Sequence, residues 1–143
     1  MVKTHSEGPS DELTISPEKA FFIIVKAREF DEQVAPTDPD SGSNPIDDRE
    51  VDVLEEQADN PVVQELQAAF AGLNVDEQLD LLALTWLGRG DFGSFAQARQ
   101  EAKDVSAKHI PRYLLGTPLL GDYLEEGLSQ LGYSLEGFEV NRL

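Results

Sequence analysis

The chain has no cysteine, two histidines, one tryptophan and one methionine in 143 residues. Without cysteine there is no disulfide framework, no thiolate nucleophile and no cysteine metal site. His5 and His109 alone are too few for a histidine-based metal centre. Basic residues are also scarce, 11 against 28 acids, for a formal net charge of −17. That balance repels phosphate backbones and anionic lipid, so direct nucleic-acid binding and membrane association are not expected. The longest apolar run, Ala20 to Val25, is too short to span a bilayer, and residues 1–16 carry no apolar stretch of signal-peptide type. A cytoplasmic protein is expected. No cofactor is implied.

The acids that are present are unevenly spread. Residues 1–60 hold 16 acids and 5 bases, and residues 31–59 hold 11 acids and a single base. A surface of this kind attracts a basic partner or mimics a polyanion, although solubility alone accounts for much of it. Residues 1–14 read as a flexible tail and residues 15–143 as one domain, with an acidic loop or linker at about 34–59. A short helix around Val51 and Leu54 is expected inside that linker.

The fold class read from the pattern is all-α, a small irregular bundle of about five helices. Ser16-Pro17-Glu18 starts the first helix, which runs to about Gln33. Asn60-Pro61 opens the second, with the stripe Val62, Leu66, Ala69/Phe70 and Leu73. Asn74 with Glu77 three residues on forms a capping-box pattern for the third helix, which is apolar nearly all round after its first turn and ends near Gly88. The fourth is predicted over Phe92–Lys108, with Phe95, Ala98, Ala102 and Val105 on one face and Ile110-Pro111 breaking it. A short turn at Tyr113-Leu114-Leu115 precedes the last helix. There Thr117 is the expected cap, Pro118 the first helical residue and Gly132 the end. Leu120, Leu124, Leu128 and Leu131 make its apolar stripe, with Asp122, Glu125 and Glu126 directed elsewhere. Gly121 and Gly127 interrupt it at about 1 kcal/mol each relative to alanine, which calls for a close backbone neighbour. The third helix is the expected one.

Few motifs survive weighing. Gly88-Arg89-Gly90-Asp91-Phe92-Gly93 matches the dinucleotide-binding pattern formally but lacks the strand before it, so it reads as a helix stop and tight turn. A calcium loop counted from Asp38 fails, because its sixth and twelfth places hold Ser43 and Arg49. No serine or threonine has a histidine at a recognisable triad spacing, so no catalytic residue is assigned. The candidate ligand- or partner-binding residues are Trp86, Arg89, Asp91, Arg112, Tyr113, Asp122 and Glu125. They come from the end of the third helix, the interhelical turn and the start of the last helix.

Four stretches taken together resemble a bacterial family catalogued as domain of unknown function 3775: Ile15 to Phe30, Leu73 to Gln78, Trp86 to Asp91, and Tyr113 to Leu128. The resemblance implies a small soluble bacterial protein and supplies no catalytic or binding residues. The first functional expectation is a non-enzymatic acidic protein–protein interaction or regulatory module, with a basic or amphipathic protein partner. The alternative is a small-molecule binder or enzyme, with a pocket between the end of the third helix and the start of the last. Homodimerisation is left open by glycine-lined helix faces.

Overall fold

The computed structural model describes residues 13–33 and 59–134. Within them the fold is all-α, with no strand, in six helices: α1 Pro17–Gln33, α2 Pro61–Ala71, α3 Val75–Arg89, α4 Phe95–Ala102, α5 Ile110–Leu115 and α6 Leu120–Gln130. A 3-10 turn, Ala107–His109, leads into α5. The tail up to residue 12, residues 34–58 of the acidic linker with its expected short helix, and the failed calcium loop lie outside the described residues.

Local chemistry explains most boundaries. Ser16 Oγ accepts from the Glu18 N–H, and Pro17 takes the first helical place, where no amide donor is needed. Asn60 Oδ1 accepts from Val62 N and starts α2. At α3 the capping box forms in full: Asn74 Oδ1 accepts from Glu77 N at 2.8 Å, and Glu77 Oε1 accepts from Asn74 N at 2.9 Å.

The structure corrects four boundaries. α3 continues through Gly88 and stops at Gly90, whose φ of +94° provides the left-handed terminus. The fourth helix is short, because Ser94 caps it and the chain turns at Lys103. Ile110-Pro111 opens α5 instead of ending α4, since proline fits the first turn of a helix as readily as it ends one. Finally, Thr117 does not cap α6. Its hydroxyl donates to the Tyr113 carbonyl at 2.8 Å and finishes α5, so α6 begins at Leu120, after Leu119 at φ +62°.

α3 is the central helix. Leu79, Leu81, Leu82, Ala83, Leu84 and Leu87 are all buried on it, each leucine contributing about 1.5–3 kcal/mol through burial. It packs on α4, α5 and most extensively on α6, which also lies against α1, and α1 reaches α2. The glycines set these crossings. A Cβ on Gly127 would stand 2.4 Å from the Leu84 carbonyl oxygen, and one on Gly88 1.8 Å from that of Tyr123. α3 and α6 therefore cross backbone to backbone, as expected for Gly127. Gly121 serves a different neighbour: its Cβ would meet Ile24 O at 3.0 Å and the Arg28 side chain on α1.

Candidate functional site

The seven sequence-derived residues fall into two groups. Trp86 and Arg89 lie on the last turn of α3, Asp91 in the turn that Gly90 makes, and Arg112 and Tyr113 on α5. The Tyr113 hydroxyl ties this group together, accepting from Trp86 Nε1 at 3.3 Å and from Arg89 Nη2 at 3.1 Å. Arg89 also donates through Nε and Nη2 to Asp91 Oδ2, at 2.9 and 2.7 Å. Burial works against the Arg89 charge, but the bonds to Asp91 and Tyr113 more than offset it, so the guanidinium is held above its ordinary pKa. Trp86 packs against Phe92 with ring centroids 5.6 Å apart.

Beside this cluster is a cleft of about 240 Å³ lined by Leu82, Trp86, Val105, His109, Ile110, Arg112 and Tyr113. Its lining is mostly apolar, with Trp86 and Tyr113 contributing aromatic rings. Arg112 lines it and Arg89, which is paired with Asp91, does not. Among the described residues Arg112 forms no salt bridge.

Asp122 and Glu125 form the other group. Both accept from Arg28 on α1: its Nε and Nη2 reach Asp122 Oδ1 at 3.0 and 2.8 Å, and Nη2 also binds Glu125 Oε1. They clamp α6 to α1 and take no part in lining the cleft. Burial lowers the Arg28 pKa, but the two carboxylates outweigh it and hold the charge firmly.

Sequence reasoning missed a third constellation. Asp80 is fully buried on α3, and its Oδ2 accepts the N–H groups of Thr14 and, at 2.9 Å, Ile15. Its Oδ1 accepts from Arg99 Nε on α4 at 2.8 Å, while Arg99 Nη2 reaches Asp76 at 3.2 Å. Arg99 Nη1 is buried without a partner among the described residues. One carboxylate thus joins the lead-in to α1, α3 and α4. The available signal was a lone acid set in Leu79-Asp80-Leu81-Leu82, in the stretch of the helix that is apolar nearly all round after its first turn. Such a residue needs a buried partner.

Among the described residues no group of three or more histidines or acids is arranged to hold a metal ion, and no helix is long and apolar enough to cross a membrane. The chain matches no curated protein and no solved structure. Its residues 63–133, which include Trp86, Arg89, Asp91, Asp80, Arg112 and Tyr113, match the model of a family described as protein of unknown function (DUF3775). Over residues 63–133, therefore, the chain carries a domain of the DUF3775 family.

Proposed function

We propose that the protein is a non-enzymatic interaction module that docks a basic, amphipathic helix of a protein partner in the groove between α1 and α2. The observation that supports it best is the surface of that groove, about 400 Å³ in volume and lined by Phe22, Ala68, Ala69, Gly72 and Leu73, with Glu18 and Lys19 at its edge. Phe22 is 43% exposed, an unusual position for a phenylalanine on a helix whose other aromatics are buried. Alanines and a glycine opposite it let another helix approach closely, the arrangement of helix-in-groove recognition. A net charge of −17 attracts a partner's cationic face at long range. Lys19 offers little local opposition, because Glu77 neutralises it at 3.2 Å. A bacterial, cytoplasmic setting belongs to the same reading, on the support of the acidic, cysteine-free composition and the family resemblance.

The test is affinity purification from native cells at endogenous expression and low salt, with the wild-type protein and Phe22→Glu in parallel. One stoichiometric basic partner should be enriched by the wild type and lost in the variant. A second copy of the chain as the captured species, no partner, or equal capture by both proteins would each overturn the reading.

A further inference from the structure

The α3–α5 cleft has a chemistry opposite to the rest of the molecule. Most cations with described side chains are engaged by acids: Lys19 by Glu77, Lys26 by Glu65, Arg28 by Asp122 and Glu125, Arg89 by Asp91, and Arg99 by Asp80 and Asp76. The exceptions are the exposed Lys103 and Lys108 and, at the cleft, Arg112. Arg112 lines an apolar cleft that His109 also lines, and neither side chain makes a hydrogen bond or ion pair among the described residues. A guanidinium without an acidic partner that lines an apolar cleft is free to donate to an anionic ligand.

Tyr113 supplies a third donor. A phenol has one O–H to give and accepts through its lone pairs. Trp86 Nε1 and Arg89 Nη2 both point their hydrogens at the Tyr113 oxygen, so its own proton must turn away from them. No acceptor takes that proton among the described residues, and the ring that bears it walls the cleft. Arg89, held by Asp91, thereby acts as a positioning residue for the hydroxyl. Leu82, Val105, Ile110 and Trp86 line the same cleft as these donors.

We propose that this cleft binds a small monocarboxylate with an aromatic or branched aliphatic body, a site distinct from the α1–α2 groove. The carboxylate accepts from the Arg112 guanidinium, whose planar fork matches its two oxygens, and from the Tyr113 O–H. The body lies on the leucine, valine and isoleucine floor against Trp86. The size agrees: about 240 Å³ is below the roughly 300–1,000 Å³ of pockets for drug-sized ligands, so only a compact body fits.

Trp86 is the only tryptophan, so its fluorescence reports on the cleft directly. The full chain is titrated with phenylacetate, 4-methylpentanoate, phenylacetamide, acetate and inorganic phosphate. Saturable changes are expected with the first two in the micromolar to millimolar range. Phenylacetamide should bind at least 10-fold more weakly, and acetate and phosphate should give none. Arg112→Gln and Tyr113→Phe should each weaken phenylacetate about 10-fold with unchanged helical circular dichroism, and Phe22→Glu should leave it unaltered. Absence of saturation by either apolar acid, equal affinity for the amide, binding of phosphate alone, or wild-type affinity in Arg112→Gln would overturn the proposal. If one of the two cleft variants loses its fold, wild-type discrimination between phenylacetate and phenylacetamide still decides the matter.

Discussion

At the residue scale, polar side chains here act by tying helices together. Glu77 illustrates this best, being only 8% exposed while serving both the cap of α3 and the Lys19 ammonium on α1. The N–H of Asn74 is the main cause that holds its carboxyl below the ordinary value of 4.5, with Lys19 adding to it and burial opposing. A lowered folded-state pKa means that the unfolded chain binds this proton more tightly. The stabilisation is therefore complete above the ordinary carboxylate range and is lost as pH falls through the folded value. Glu77→Gln keeps an oxygen for the cap but discards the charge. The gap in urea midpoint between wild type and Glu77→Gln should be widest near pH 7 and narrow steadily below pH 4.5. A gap that is constant from pH 7 to pH 3 would remove the charge from the account. The capping pair was legible in the sequence because it is local, three residues apart. Lys19, 58 residues away, was not.

At the scale of elements, the decisive contact is the crossing of α3 and α6. Gly88 and Gly127 face each other's helices, each with a backbone carbonyl where a side chain would start. Gly88→Ala and Gly127→Ala should each cost about 1–3 kcal/mol or more, because two backbones would have to part. Gly93→Ala is the control: its nearest neighbour would be 3.9 Å away, and its φ is not in the left-handed region, so stability should stay level or rise by up to about 1 kcal/mol. Urea unfolding of the three variants checks the order. The sequence pointed to Gly127, since a glycine inside an otherwise good helix needs an explanation. It misread Gly88 as a helix stop, because Gly88 and Gly90 are alike in type and two residues apart. Only backbone conformation separates them, one helical and crossed by α6, the other left-handed and terminal. Thr117 was misread for a similar reason: a hydroxyl can cap forward or bond back four residues, and here it bonds back.

For the whole molecule, charge is the dominant variable. An excess of 17 acids must repel itself, while the described ion pairs between helices are mostly part-exposed and worth about 0–1 kcal/mol each. Salt screens both, with a Debye length of about 10 Å at 0.1 M. Repulsion among many acids outweighs a few exposed pairs, so the thermal midpoint should rise by several degrees between 20 mM and 500 mM sodium chloride. A midpoint that falls would show that pairs such as Arg28 with Asp122 and Glu125 matter more than the net charge. Arg112 shares the want of an acidic partner with the exposed Lys103 and Lys108 among the described residues, and of these three it is the one that lines the α3–α5 cleft.

By itself the sequence determined the helical class, the starts of α1, α2 and α3, the centrality of α3 and the kinship of residues 63–133. These depend on interactions within a few residues or on an apolar pattern that repeats every turn. It also named Trp86, Arg89, Asp91, Arg112 and Tyr113 without relating them. Tertiary structure alone decided that the Tyr113 hydroxyl gathers Trp86 and Arg89, that Asp122 and Glu125 belong to Arg28, and that Asp80 is buried with Arg99. Each of these pairings joins residues 19 to 97 positions apart. Nothing in local periodicity encodes which acid meets which base, because that follows from how the helices pack; for Arg28 with Asp122 and Glu125 it follows from how closely Gly121 lets α6 approach α1.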